Sequence, residues 1–210
     1  MSLMTRNTVR VLVCSWAALA LPLVLGGCIS VFPKTKPVQM YRFGDQATAP
    51  AAAAASAAPS ALVLKGPIAF PPASGGDRIL TVTGDQSAYV GGARWVAPAA
   101  SLFDAALLQA FDAQGAPRLV ARGEPLAASS VLRIDVRAFE ARYPGPTVRV
   151  QVRATLLRSA DRTLIGEKMF DAEVPASDNR QSAIVAAFDQ AVGQVLIGLR
   201  DWTAATAPRS

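Results

Sequence analysis

The clearest alternation of apolar and polar positions lies in the second half of the chain. In SVLRIDVRAFEARY, starting at Ser130, the side chains of Leu132, Ile134, Val136 and Ala138 fall on one face and those of Arg133, Asp135 and Arg137 on the other. That is the pattern of a half-buried strand. After the turn signal YPGP at 143–146, TVRVQVRATLL repeats it, with Val148, Val150, Val152, Ala154 and Leu156 inward and Arg149, Gln151 and Arg153 outward. A third run, RTLIGEKMFDAEV at 162–174, follows Ser159-Ala160-Asp161. Together these predict an antiparallel meander with one dry and one wet face. The period then changes. Beyond Asp178, read as an N-cap, Ile184, Phe188, Ala191, Val192, Val195, Leu199 and Trp202 recur every three or four positions. That spacing predicts a long helix whose stripe covers the dry face of the meander.

The first half is less regular. VQMYRF at 38–43 reads as a short strand, and ALVLKGPIAF, from Ala61, as a strand interrupted at Gly66-Pro67 in the manner of an edge or a bulge. RILTVT at 78–83 and SAYV at 87–90 are two more strands around the turn signal Gly84-Asp85. Pro98, Ser101 and Asp104 on one side, with Gly115 and Pro117 on the other, bracket a helix predicted over 99–113. Leu102, Phe103, Ala106, Leu107, Ala110 and Phe111 form its apolar face. Between the first two strands, DQATAPAAAAASAAPS at 45–60 holds no side chain large enough to build a core and reads as a mobile loop. The predicted fold class is α+β: a two-layer domain over 38–204, with a mainly antiparallel sheet packed against two helices and a disordered tail at 205–210.

The N-terminus follows another grammar. Arg6 and Arg10 precede an apolar run from Val11 to Leu25, then Gly26, Gly27 and Cys28, the three-part layout of an export signal over 1–27. Its fifteen positions fall short of the ~20 that span a bilayer, and Pro22 disturbs a helix there. Leu25-Gly26-Gly27-Cys28 resembles the bacterial lipobox, which implies acylation of the Cys28 sulfur and cleavage before it. Cys14 leaves with the signal, so the mature chain keeps one cysteine and forms no internal disulfide. In an oxidising compartment acylation removes the liability of a free thiol, and two or more acyl chains make a stable anchor. The competing reading is a secreted protein with an incidental cysteine or a buried small hydrophobe. Residues 28–37, with Lys34 and Lys36 among prolines, read as a tether whose lysines are solvated or rest near anionic head groups. Ile29 in place of Asp leans, by resemblance to bacterial lipoproteins, toward the inner leaflet of the outer membrane.

Removing residues 1–27 from the 210 leaves 183, enough for one domain with a real core, and lowers the formal charge from +6 to +4 because the signal carries two arginines and no acid. The remaining charge is dispersed, so a nucleic-acid partner is not expected. The chain contains no histidine, which excludes Ser-His-Asp and Cys-His catalysis and the usual zinc sites. Carboxylate chemistry is the catalytic option left, and the fifteen acids form no recognisable pair. The diglycines at 75–76 and 91–92 lack the rest of a phosphate loop. No catalytic residue, metal or cofactor is therefore expected.

Candidate partner-binding residues are Arg133, Arg137, Arg149 and Arg153, which line up on the wet face, together with Trp95. With the hairpin register centred on Gly145, Arg137 and Arg153 become neighbours and repel unless an acid is close. Glu167, Asp171 and Glu173 share the outward parity of the next strand and are placed to neutralise Arg149 and Arg153 within the sheet. The alternative is a surface for an acidic partner or a lipid phosphate. Trp95 is either a core anchor or an exposed contact, and the area an indole buries favours the core.

In this order the elements resemble the ABC-type transport auxiliary lipoproteins of the PqiC/YmbA kind, which accompany MCE-domain lipid transport systems. The matching stretches are the lipobox at Cys28, the YRF strand, YVGGARWVAP leading into a helix with LL, VLRIDVRAFE, ATLLRSADRTLIGEKMF and the closing LRDW. They span nearly all of 38–202, and their order and spacing carry the likeness. The Ala-rich insertion is a departure, as is Val96 in place of the usual acid after Arg-Trp. The resemblance implies a noncatalytic protein lipid-anchored at the periplasmic face of the outer membrane through Cys28. It implies as partner an MCE-domain protein of an ABC-type lipid transporter, and a homo-oligomer is left open. Two alternatives stand beside it: a periplasmic lipid- or glycolipid-binding lipoprotein, which requires an apolar cavity between helices and sheet, and an assembly factor of another envelope machine, such as one inserting lipopolysaccharide.

Overall fold

The computed structural model describes residues 37–45, 61–112, 117–121, 123–124 and 126–208. The export signal, Cys28, the tether up to Lys36 and positions 46–60 of the Ala-rich loop lie outside the described residues. In chain order the elements are β1 (Gln39–Tyr41), β2 (Leu62–Ala69), β3 (Arg78–Thr83), β4 (Gln86–Trp95), α1 (Ala99–Phe111), β5 (Arg118–Val120), β6 (Ser130–Tyr143), β7 (Thr147–Arg158), β8 (Leu164–Pro175) and α2 (Gln181–Thr206).

The three C-terminal strands form the expected meander, with β7 antiparallel to both β6 and β8. Val148, Val150, Val152, Ala154 and Leu156 of β7 are fully buried. Burial of a valine or leucine contributes about 1.5–3 kcal/mol relative to exposure, so this strand alone fixes which face is dry. The stripe of α2 lies on that face. Ile184, Phe188, Ala191, Val192, Val195 and Leu199 are buried, and Trp202 is half-buried with its ring edge toward Phe170 at 6.0 Å. Helix α2 continues to Thr206 and Ala207 is itself buried, so residues 205–207, expected in a tail, belong to the packed domain, and 209–210 lie outside the described residues.

The expectation of a mainly antiparallel sheet is corrected. The eight strands form one mixed sheet, in which four pairings, β1 with β4, β2 with β5, β2 with β6 and β3 with β6, are parallel. Strands β2 and β3 do not form a hairpin. They lie end to end along one side of β6, β2 beside residues 130–135 and β3 beside 141–143. Alternation reports which face a side chain takes, not which neighbour its backbone finds. β4 extends beyond the expected 87–90 to Trp95 because β1 runs parallel beside Ala93, Arg94 and Trp95.

Both helix starts differ from the capping expected. No side chain caps α1. The Ala99 and Ala100 N–H groups instead donate to the carbonyls of Gly76 (2.9 Å) and Gly75 (3.2 Å) in the loop after β2, and Asp104 pairs with Lys65. Arg180 is the N-cap of α2, also without a side-chain cap. Asp178 accepts the N–H of Arg180 at 2.7 Å and so shapes the approach rather than the first turn.

The break at Gly66-Pro67 is a bulge, with the β2–β6 register shifting between Lys65 and Ile68. A Cβ on Gly66 would lie 2.5 Å from the Leu132 carbonyl oxygen and 3.2 Å from Cγ of Arg133. The backbone oxygen cannot step aside without opening the sheet. Gly66→Ala is therefore expected to destabilise the domain by about 1–3 kcal/mol in urea denaturation. Gly76→Ala, where a Cβ meets nothing within 4 Å, stays within about 0.5 kcal/mol of wild type. Equal midpoints for the two variants would contradict the close approach.

Candidate functional site

The candidate arginines stand on the sheet face opposite the helices, and β6 decides how. Its register against β7 shifts between Val136 and Ala138, which leaves Arg137 as the extra residue of a β-bulge. Before the bulge Arg133 faces Thr155 and Asp135 faces Arg153; after it Glu140 faces Arg149. The expected neighbours Arg137 and Arg153 are thus corrected: the residue opposite Arg153 is an acid, and Arg137 pairs with Asp135 at 2.7 Å. The bulge also reverses the parity of the strand, so that Phe139 and Ala141 point inward and Glu140 and Arg142 outward.

Arg149 is the best-satisfied of the set. It donates from Nε to Oδ1 of Asp171 (3.0 Å) and from Nη2 to Oδ2 (2.6 Å), the bidentate geometry of a strong charge-assisted pair. Glu173 stands 3.4 Å from its Nε, and Gln151 donates to Asp171 at 2.6 Å. The hydrogen bond from Arg149 holds the Asp171 carboxyl below the usual carboxylate range, against the opposing effect of burial and with help from Gln151. The same bond raises the Arg149 guanidinium above its ordinary value. Arg142 bonds Glu140 at 2.9 Å and lies 3.8 Å from Glu173. The acids of β8 therefore do neutralise this half of the face, joined by Asp135 and Glu140 of β6 itself.

The other half is looser. Arg153 reaches Glu167 only at 4.0 Å from its Nε, and that nitrogen is buried without a hydrogen-bond partner. Arg133 is exposed. The two arginines, Thr155 and Glu167 line a cleft of about 320 Å3 walled on the β2 side by Pro67 and Ala69. Sequence reading missed Pro67, Ala69 and Thr155, since nothing in a period of two marks a small residue as the wall of a depression.

Trp95 is not on this face or any other. It is 1% exposed, edge-on to Phe188 at 5.4 Å and to Phe43 at 5.0 Å, so its candidacy as a partner contact is withdrawn in favour of the core. Among the described residues no group of three or more His, Cys, Asp or Glu is placed to hold a metal ion. Helix α2 is long and apolar enough by composition to cross a membrane, but its stripe is already occupied by the sheet.

Helices on one face of a mixed sheet and interlocked ion pairs on the other define an α+β domain that presents a charged surface. The model of the family described as "ABC-type transport auxiliary lipoprotein component" matches residues 41–197, and the chain belongs to that family. Among solved structures it is similar to protein XCC0632 of Xanthomonas campestris, of the DUF330 family, with 26% identity over 81% of this chain and 94% of that one and a TM-score of 0.63. An uncharacterised protein at 18% identity, covering 80% of this chain and 99% of its own, shares the fold with a TM-score of 0.59. No curated protein matches. Membership of a lipoprotein family associates the chain with the cell envelope and with an ABC-type transport system.

Asp171 provides a pH test of the ion-pair network. Its folded-state value is depressed, so the stabilisation is present above the unfolded carboxyl's value near 4 and is lost as pH falls through the folded value. The pair is partly exposed, which keeps its worth near that of a surface pair. Asp171→Asn is expected to cost about 0.5–1 kcal/mol at pH 7. The gap should narrow as denaturation is repeated at progressively lower pH below 4, and a gap independent of pH would refute this origin.

Proposed function

We propose that the chain is a noncatalytic lipoprotein held by acyl chains on Cys28 at the periplasmic face of the outer membrane, where it docks a periplasmic MCE-domain protein of an ABC-type lipid transporter. The observation that carries this reading is the family match over 41–197 joined to a lipobox-like Leu25-Gly26-Gly27-Cys28 ahead of it. From Cys28 to Pro37, where the described domain starts, nine residues reach at most about 32 Å. Whatever the domain grips is then held close to the bilayer surface.

The core speaks for docking over uptake of a lipid between the layers. Phe43, Trp95, Phe139 and Phe188, with Phe70 and Phe103 beside them, meet ring to ring between sheet and helices, with centroid separations of 4.8–6.4 Å. These rings occupy the space that an acyl-binding cavity would need. The docking surface is the charged sheet face, where Arg149, Arg137 and Arg142 are held by acids of the sheet and the exposed Arg133 is left to meet an acidic partner.

Cys28→Ser tests the reading. The variant domain should keep wild-type circular dichroism and melting, lose its acyl mass by mass spectrometry, leave the membrane fraction and fail to restore lipid transport to a deletion strain. Full complementation by the unacylated protein would overturn the anchored role. Copurification of the wild type from membranes should bring down an MCE-domain protein.

A further inference from the structure

Arg149 and Arg153 sit on the same strand and the same face, four residues apart, yet their surroundings differ. Arg149 has a bidentate carboxylate at 2.6–3.0 Å. Arg153 has a buried Nε with nothing bonded to it, although its neighbourhood contains two acids. Neither acid hydrogen-bonds that nitrogen: Asp135 is held by Arg137 at 2.7 Å, and Glu167, whose Oε2 accepts the Thr155 hydroxyl at 3.2 Å, forms only a 4.0 Å ion pair with Arg153 through Oε1. A guanidinium N–H left unbonded out of water carries a desolvation cost, so such groups in folded proteins usually answer to a ligand, a water or an ion.

Arg133 adds a second donor to the same depression. It lines the cleft with Arg153, stands directly opposite Thr155, and makes no ion pair or hydrogen bond among the described residues. The β2 wall leaves both heads uncovered, because Gly66 carries no side chain and Pro67 and Ala69 are short. The charged lining is formally balanced, Arg133 and Arg153 against Asp135 and Glu167, and Asp135 is further held by Arg137 from beside the cleft.

We propose that this cleft is a binding site for a phosphate-class oxyanion, gripped between the guanidinium groups of Arg133 and Arg153. Planar forks matched to tetrahedral oxygens suit that chemistry. Two carboxylates in the same lining repel a doubly charged monoester more than a singly charged phosphodiester, so the diester suits the cleft better. Such a diester is the linkage of a phospholipid head group, and free phosphate is the other source of the same oxygens. The site does not depend on anchorage: removing Arg133 leaves Cys28 untouched, so this inference and the anchored role fail separately.

The test uses the full-length protein in nonionic detergent, titrated calorimetrically with glycerophosphoglycerol and, separately, with inorganic phosphate. Saturable one-to-one heat is expected with the diester, weaker with phosphate. Arg133→Gln, which breaks no ion pair or hydrogen bond among the described residues, should weaken it at least tenfold. Ala69→Leu, which fills the cleft and leaves every charge in place, should do the same. Arg180→Gln removes an equal charge from an exposed position outside the cleft, 78% exposed on its side chain, and should bind as wild type. Tighter binding of the diester supports a head group as the source and tighter binding of phosphate supports the free ion, both upholding the oxyanion site. Absence of saturable heat with either probe, unchanged affinity in Arg133→Gln, or an equal loss in Arg180→Gln would overturn it.

Discussion

Phe139 points into the core only because β6 carries one residue too many. The bulge at Arg137 switches the strand from odd-outward to even-outward, and the ring of Phe139 thereby meets Phe43, Phe70, Trp95 and Phe188. These rings come from the segment after β1, the loop after β2, the end of β4 and the middle of α2. A strict alternation through Arg137 would instead put Phe139 into water and Glu140 among those rings, a cost no surface ion pair offsets. The same bulge divides the other side of β6 between β2 and β3. The chain leaves the sheet between them, and the loop it forms offers the Gly75 and Gly76 carbonyls to the first amides of α1. One inserted residue thus sets the aromatic core, and it sits where β6 passes from its pairing with β2 to its pairing with β3.

What was legible in the sequence follows the same line. The β7 valines and the α2 stripe were readable because each repeats a single period without interruption. The faces of β6 were readable as far as Ala138, but its register was not, since Ala138 and Phe139 are both buried and a bulge leaves no mark except a change of phase. That slip propagated into the site: the assumed register put Arg137 beside Arg153, where the structure puts Asp135. Strand partners were the least legible. RILTVT looks like half of a hairpin, and it is one with β4, but nothing in it announces that its other side runs parallel to β6. Ser101 and Asp178 matched capping chemistry by type, yet the amides at α1 found backbone carbonyls from a loop distant in sequence.

The charged face shows how little stability such pairs need supply. Each exposed pair contributes at most about 1 kcal/mol, whereas the strands beneath bury whole rows of valine and leucine. The pairs matter more for what they prevent. Among the described residues β8 pairs only with β7, and no described strand covers the outer backbone edge of its twelve residues, a template for another strand. Along it Glu167, Lys168 and Met169 are exposed in succession, Asp171 and Glu173 alternate with buried Phe170, Ala172 and Val174, and Pro175 ends the run. Arriving strands meet fixed charges, and the arginines of β7 keep those acids from destabilising their own sheet.

That logic also separates Arg133 and Arg153 from the rest. Arg149 and Arg142 already hold Asp171, Glu173 and Glu140 within 2.6–3.8 Å, whereas Arg153 meets the remaining acid of β8, Glu167, only at 4.0 Å. Protecting the edge requires nothing at Arg133, which lies two strands away from it. A lysine or a threonine there would serve solubility as well. A long guanidinium side chain held against a strand that has given up its own side chain to make room is a costly way to be merely soluble, because the ordered stem loses rotamer freedom without gaining a partner. The arrangement becomes economical once an anion closes it, since the two heads are then already positioned and the buried Nε of Arg153 gains its missing acceptor.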